Sequence, residues 1–345
     1  MALFTHPEFD GHETVVFAQN DSDRLRTIIA VHDTTLGPAL GGCRVWNYAD
    51  EAEALTDVLR LSKGMSYKAA LAGLPLGGGK SVVLADSRRD KTEAMMRAMG
   101  RAVERLGGRY IVAEDVGVSV EDMDHVALET RHVAGTSTLA GDPSPFTARG
   151  VCLAIEAAAR RVLDRGLDGL TVTVLGLGHV GATLAGLLAE GGARLAVADI
   201  REEAVEAVKA TTGAVGVPVD EAHIVECDVF APCALGAGLN PRTIPEIGAR
   251  IICGAANNQL AQPGDDRRLM EAGILYCPDY LVNAGGLISV ARGVTGDDDA
   301  ACLARVARIP ETLMAVLDRA EDEDLSPGSA ADVLARTQIE MARGA

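Results

Sequence analysis

The sequence predicts an α/β protein of two domains, an N-terminal α/β domain over residues 1–145 and a C-terminal doubly wound domain over 146–345 that ends in helices. Three observations carry that prediction. Short β-branched runs alternate with segments of helical period along most of the chain. A Gly/Pro-rich stretch, "AGDPSPFTARG" at 140–150, breaks the alternation and marks a boundary near residue 145. Beyond it, "LTVTVLGLGHVG" opens a new βαβ series. A chain of 345 residues is long enough for two such cores.

Each element has its own local reason. "TIIAVHDTTLGPALGGCRVW" reads as a strand, a Gly/Pro loop and a second strand. "DEAEALTDVLRLSKGMSYKAALAG" carries apolar residues at helical spacing behind an acidic first turn that suits the helix dipole. "KSVVLAD" and "RYIVAEDVG" read as strands, and "KTEAMMRAMGRAVERLGG" between them as a helix closed by glycine. In the second half, "VCLAIEAAARRVL" reads as a helix. "DVFAPCA", "RIICGAAN" and "GILYCPDY" follow at the spacing of a parallel sheet with crossover connections. From residue 299 the pattern is helical, interrupted around "DRAEDEDLSPGSAADVLA".

Composition narrows the function classes. Hydrophobic residues make up 48% and aromatics only 3%, so the core is aliphatic and stacking platforms for bases are scarce. A net charge of −17 opposes nucleic acid and anionic membranes as partners. The N-terminus has no secretory pattern and no apolar run is long enough to span a bilayer, which leads us to expect a cytoplasmic protein. Seven scattered cysteines without CxxC pairs fit free thiols in a reducing compartment, and the spacing of Cys227 and Cys233 argues against a redox pair. The histidines show no metal-ligand spacing, and no metal site is expected.

In "TVTVLGLGHVGATLAGLLAEGGARLAVADI", Gly176, Gly178 and Gly181 stand in GxGxxG spacing. They follow a β-branched strand, open an alanine-rich helix, and precede a second strand that ends at Asp199. In that context the motif is the fingerprint of a Rossmann dinucleotide site. Gly176 permits the tight turn, Gly178 admits the pyrophosphate to the backbone, and Gly181 lets helix and strand pack closely. Leu177, His179 and Val180 supply the backbone that faces the pyrophosphate at the helix N-terminus. Asp199 can accept from both adenosine ribose hydroxyls and would repel a 2′-phosphate, so NAD is favoured. Arg201 keeps NADP open.

"GMSYKAALAGLPLGGGK", residues 64–80, sets Lys68 and Lys80 about a glycine run. A P-loop would need a glycine at Leu74, a strand before it and a helix after it, and the order here is inverted. The alternative is a pocket for a small anion beside a crowded lysine able to act as a base, with Gly77, Gly78 and Gly79 bending the backbone close to the ligand. Two solvated surface lysines would give the same local sequence, and the loop alone leaves both readings open.

"LGPALGGCRVW", "KGMSYKAALAGLPLGGGKSVV", "YIVAEDVG", "CGAANNQL" and "PDYLVNAGGLI" occur in one order over about residues 10–320. Together they resemble the leucine/phenylalanine/valine branch of the amino-acid dehydrogenases, relatives of glutamate dehydrogenase. The resemblance implies an N-terminal substrate and oligomerisation domain, a C-terminal NAD domain, and a cleft between them. It implies reversible oxidative deamination of an L-amino acid to a 2-oxo acid, ammonium and NADH, by a homo-oligomer. By motif match, Lys68 would bind the substrate carboxylate, Lys80 would be the catalytic lysine, and Asp115 would bind the amino group and share in proton transfer. Gly41, Gly42 and Met65 would border the substrate, Asn258 or its neighbour Asn257 would help to hold the carboxylate, and Thr147 and Asn283 would belong to the cofactor site.

Glutamate-specific members resemble "GPYKGG" where this chain has "GPALGG", so their side-chain-pairing lysine falls on Leu40. Leucine leaves a buried carboxylate uncompensated, which excludes glutamate. The matched pocket wall is Leu40, Ala113, Ala134, Leu287 and Val290. Leu40 and Ala113 resemble the leucine-type members, which implies branched-chain aliphatic donors; Ala134, smaller than that type's usual residue, and Leu287, larger than it, reshape the pocket and keep phenylalanine or a bulkier, tryptophan-like donor in view. A nucleotide sensor that kept the fold without the chemistry is the rival of another class, and the joint presence of Lys68, Lys80 and Asp115 argues against it.

Overall fold

The computed structural model describes residues 3–138, 141–234 and 236–344. Ala140 of the Gly/Pro-rich break and Leu235 of the "APCALG" segment lie outside these. The chain forms two compact units, one of Met1–Gly141 with Val290–Asp298 and Ala335–Ala345, the other of Asp142–Ser289 with Asp299–Leu334. Two late segments thus return to the first unit, although the sequence reading gave all of 146–345 to the second. Nothing local to those segments says which core they join.

The first unit contains β1 (Thr14–Asn20), β2 (Leu25–Asp33), β3 (Ala39–Trp46), α1 (Glu51–Leu71), β4 (Gly77–Leu84), α2 (Glu93–Glu104), β5 (Tyr110–Glu114) and α3 (Val120–Ala127). Its sheet runs β1-β2-β4-β3-β5; β3 is parallel to both β4 and β5, while β2 is antiparallel to β1 and β4. Alternation assigns the two faces. Ala39, Cys43 and Val45 of β3 join Met95, Met99, Val103, Met123 and Val126 in the core beneath α2 and α3. On the other face Ile28, Ala30 and Val82 pack against Ala54, Val58 and Leu59 of α1. Asp50 caps that helix by accepting from the Glu53 backbone N–H.

The glycine run is not a loop. Gly77, Gly78 and Gly79 open β4 and are buried in the middle of the sheet. A Cβ on Gly78 would lie 2.0 Å from the Ser66 backbone nitrogen of α1, and one on Gly79 would meet the Tyr110 ring at 2.6 Å. These glycines serve close packing of helix and aromatic ring on the strand, not a bend. Gly41 on β3 is tighter still, its Cβ position lying 1.7 Å from the Gly79 carbonyl oxygen. Gly41→Ala is therefore expected to destabilise the protein by about 3 kcal/mol, because a rigid backbone atom must move. Gly64, within α1, has open space at its Cβ position, so Gly64→Ala serves as a neutral or slightly stabilising control. Urea midpoints of the two variants against wild type measure the difference.

The second unit is built from α4 (Ser144–Leu163), β6 (Thr171–Leu175), α5 (His179–Glu190), β7 (Arg194–Ala198), α6 (Glu202–Thr212), β8 (Val215–Gly216), β9 (Cys227–Pro232), β10 (Ala249–Ile252), α7 (Asp265–Glu271), β11 (Leu275–Tyr276) and α8 (Asp279–Val282). Then come α9 (Gly285–Thr295), α10 (Asp299–Val306), α11 (Ile309–Asp322) and α12 (Pro327–Arg343), of which α9 and α12 each run on into a segment grouped with the first unit. The sheet order is β11-β10-β9-β6-β7-β8, all parallel, which is the doubly wound order with its switch point between β6 and β9. Helix α4 starts at Ser144, seven residues before the segment read from sequence, with Pro145 in its first turn where a missing N–H costs nothing. The interruption read in the tail shrinks to residues 323–326. Among the described residues no helix is long and apolar enough to cross a membrane.

Candidate active site

Lys80 lies mid-strand on β4 beside Ala30 of β2, 6% exposed. Its Nζ stands 2.5 Å from Oδ2 of Asp115, the first residue after β5. Gly42 of β3 makes room for the pair: a Cβ there would lie 2.6 Å from the Asp115 Cβ and 3.2 Å from Lys80 Nζ. Gly42 faces Ala113, and Leu40 faces both Ile111 and Gly78, so Leu40, Gly42, Ala113, Lys80 and Asp115 share the α1 side of the sheet. Leu40 and Ala113 are buried. Ala134, fully buried, donates its N–H to the Val112 carbonyl beyond the β5 edge.

Helix α1 brings Met65 and Lys68, both half-buried, one turn apart on its last turns. Two histidines fix that helix. His12 Nε2 lies 3.0 Å from Ser62 Oγ, and His32 Nδ1 lies 2.8 Å from Ser66 Oγ. His32 is at a bulge where β2 slips against β4, next to the Lys80 register. Burial drives its imidazole down to about 4, so it is neutral in the folded protein.

A further residue, Arg44, went unread in the sequence. Its Nε is 3.3 Å from Asp115 Oδ2 and its Nη1 is 2.8 Å from Asp57 Oδ2 on α1. Burial by itself would push the Asp115 carboxyl up; Lys80 and then Arg44 outweigh it and hold it below the usual carboxylate range. That depression stabilises the fold above the ordinary carboxylate value, and the contribution is lost as pH falls through the depressed one. The only local sign of Arg44 was a charge at an alternation position of a strand otherwise made of Ala, Leu, Gly, Cys, Val and Trp.

The second unit carries the nucleotide fingerprint at its switch point. Gly176 has φ +97°, and a Cβ there would meet Ala234 N at 2.7 Å beyond β9. A Cβ on Gly181 would lie 1.9 Å from the Gly176 carbonyl oxygen, which pins α5 against the turn. Gly178 is the N-cap of α5 and exposed, with nothing within 4 Å of its Cβ position. His179 is exposed beside it, Val180 half-buried and Leu177 buried. Asp199, just past β7, accepts from the Leu177 N–H at 2.6 Å through Oδ2 and from Arg201 N and Nε through Oδ1. Burial pushes this carboxyl up, but the Leu177 and Arg201 donors bring it below the usual range. Arg201 also donates to the Leu177 carbonyl, which ties it to the turn. Open space at the helix N-terminus and a carboxylate beside the turn suit a dinucleotide. Ile200, 88% exposed directly after Asp199, adds apolar surface there.

Asn283, 3% exposed, donates to the Ala255 carbonyl and to Asn257 Oδ1, the latter at 2.8 Å. Asn257 and Asn258 are exposed, and Asn258 sits at φ +52°, a left-handed conformation that asparagine tolerates better than most residues. Thr147 lies in the first turn of α4, donates to the Pro143 carbonyl, and packs against Gly286 of α9. Leu287 is buried and Val290, one turn on, half-buried. Each predicted residue is thus placed, Lys80, Asp115 and Gly42 in one cluster and the glycine fingerprint with Asp199 in another.

A doubly wound unit with the dinucleotide fingerprint, joined in one chain to an α/β unit that carries a buried lysine paired with a partly buried aspartate, fits a two-domain nucleotide-dependent enzyme. Residues 12–132 match the Glu/Leu/Phe/Val dehydrogenase dimerisation domain, and residues 197–298 match the glutamate/leucine/phenylalanine/valine dehydrogenase domain. Leucine dehydrogenase of Thermoactinomyces intermedius is 46% identical over 99% of this chain and 95% of its own length. Valine dehydrogenase of Streptomyces albus is 44% identical over 98% and 95%. The crystal structure of L-tryptophan dehydrogenase from Nostoc punctiforme superposes with a TM-score of 0.88 at 42% identity, covering 97% of this chain and 98% of that one. The chain belongs to the Glu/Leu/Phe/Val family of amino-acid dehydrogenases.

Proposed function

We propose that the protein catalyses the reversible, NAD-dependent oxidative deamination of an apolar branched-chain L-amino acid, leucine or valine, to the 2-oxo acid, ammonium and NADH. The observation that carries this is the Lys80–Asp115 pair on a sheet face shared with buried Leu40 and Ala113. That face offers proton-transfer groups to the CH–NH2 centre and aliphatic surface to its side chain. The leucine and valine dehydrogenases at 46% and 44% identity support the same donors.

Gly176, Gly178 and Gly181 would hold the pyrophosphate at the N-terminus of α5, Asp199 the adenosine ribose, and Ile200 would border the adenine. Thr147 and Asn283 belong to the same site. Bound NAD supplies the acceptor for the hydride that leaves the substrate Cα. NAD is favoured over NADP because Arg201 is engaged by Asp199 and the Leu177 carbonyl, and the Asp199 carboxylate repels a 2′-phosphate.

Lys68 pairs the substrate carboxylate, helped by Asn258 with Asn257, and Asp115 accepts from the substrate amino group. Once Cα is oxidised to the iminium, neutral Lys80 takes a proton from a water as its oxygen bonds to Cα. The proton returns by way of Asp115 to the nitrogen of the carbinolamine; the C–N bond then breaks as Lys80, neutral again, takes the hydroxyl proton, and the 2-oxo acid leaves with ammonia, which carries that proton away as ammonium. Direct contact between Lys80 and Asp115 makes that relay one hydrogen bond long.

We assign oligomer formation to the first unit, in keeping with the dimerisation domain it matches. A cytoplasmic location is proposed with it, from seven free thiols. The test is NADH or NADPH formation from L-leucine, L-valine, L-phenylalanine, L-tryptophan and L-glutamate, compared by kcat/KM. Leucine or valine should lead with NAD, and glutamate should be inert. An aromatic leader, which the small Ala134 would accommodate, overturns the branched-chain assignment; no turnover with NADH still bound overturns the enzyme reading.

A further inference from the structure

We propose that Arg44 is a positioning residue that holds Asp115 as a carboxylate between proton transfers, so that the proton passing through it comes to rest on Lys80 and not on Asp115. This rests on the proton-relay reading of the Lys80–Asp115 pair. The geometry is specific. Lys80 Nζ and Arg44 Nε address the same oxygen, Asp115 Oδ2, at 2.5 and 3.3 Å. The far end of the guanidinium is held 2.8 Å from Asp57 Oδ2, which also accepts from the Tyr48 hydroxyl at 2.8 Å. Arg60 Nη2 holds the other oxygen of Asp57 at 3.3 Å. Arg44 is therefore clamped at both ends, and its side chain is only 18% exposed.

A relay in which Lys80 alternates between charged and neutral has a problem at its midpoint. When Lys80 is neutral, Asp115 loses its nearer cation, and burial is the largest single influence on its carboxyl, pushing it up. Without a second cation the proton would settle on Asp115. Arginine stays charged at any pH where an enzyme works, whereas a lysine in the same place need not. Asp57 balances the added charge, so the four groups Lys80, Arg44, Asp115 and Asp57 are neutral together when Lys80 is protonated.

The other titratable groups within electrostatic reach of Asp115, Cys43 and Tyr110 on the far face of the sheet among them, do not take this role. Cys43 and Tyr110, on β3 and β5, are both pushed up by burial and remain neutral. Tyr48, between β3 and α1, is pushed up by burial and by Asp57. Glu114, the preceding residue, is also raised by burial and has the same sign as Asp115.

The experiment is the pH profile of kcat/KM for leucine and NAD in wild type, Arg44→Met, Arg44→Lys and Asp57→Asn, with NADH affinity by fluorescence and thermal midpoints as folding controls. Arg44→Met should move the acid limb to higher pH by about one unit, since a nearby positive charge is lost. Arg44→Lys should return the limb close to wild type while kcat stays reduced. Asp57→Asn, which removes a negative charge, should move the limb the opposite way. If Arg44→Met lowers activity equally at every pH, or if Asp57→Asn shifts the limb upward too, Arg44 is scaffold only and the proposal is wrong. Should Arg44→Met not fold, the signs of the Arg44→Lys and Asp57→Asn shifts decide. Lys80→Ala in the same assay separates the two levels. Surviving turnover there sinks the relay reading, whereas a dead Lys80→Ala with an unmoved Arg44→Met limb sinks only this inference.

Discussion

Lys80→Ala is expected to lose about 10³-fold or more in kcat/KM while NADH affinity stays within a factor of two. The loss is chemical because Lys80 is the group nearest Asp115 Oδ2 and the only lysine of β4. The fold is expected to survive because Asp115 keeps Arg44 as a partner at 3.3 Å, so the substitution leaves no lone buried charge. The cavity left by a lysine stem at a 6% exposed site costs some stability, which a modest fall in thermal midpoint would report. NADH binding is the discriminating control, since the glycine fingerprint and Asp199 belong to the other unit. A variant that binds NADH and turns over leucine within tenfold of wild type would remove Lys80 from the chemistry.

Readable features of the sequence were those whose causes are local. The fingerprint from β6 to Asp199 combines a β-branched strand, a glycine at φ +97° and a helix start within some thirty residues, and each follows from its neighbours. Gly77–Gly79 misled for the complementary reason. Three successive glycines signal a bend locally, yet the demand for them comes from Ser66 and Tyr110, elsewhere in the chain. Arg44 escaped notice because its partners are 13 and 71 residues away, and only the β3–β5 register and the α1 docking bring them together. Helix α4 began early because proline marks a break in the middle of a helix but not in its first turn. The return of Val290–Asp298 and Ala335–Ala345 to the first unit is a tertiary choice with no local signal. Lys68, Lys80 and Asp115 were singled out through family resemblance more than through spacing, since a pair of lysines about a glycine run fits a solvated surface equally well.

Leu40→Lys is expected to reverse the side-chain preference. Leu40 is 1% exposed on β3, two residues before Gly42 on the face that carries Lys80. A lysine there would set a third cation near Lys80 and Arg44, whose charges are already matched by Asp115 and Asp57. With an aliphatic donor the new ammonium has no partner, and an uncompensated buried charge costs several kcal/mol. With glutamate the donor's own carboxylate supplies one, as the lysine at this place in glutamate-specific relatives implies. Efficiency with leucine should fall about 10²-fold or more, and glutamate turnover should rise from nil to measurable. Leu40→Met, which conserves volume and polarity, should keep leucine within a few-fold of wild type. That control separates charge from shape. If Leu40→Lys still prefers leucine and leaves glutamate inert, Leu40 packs the core without facing the donor. The exclusion of glutamate would then rest on Ala113, Ala134, Leu287 and Val290, all of them uncharged and so unable to pair a carboxylate.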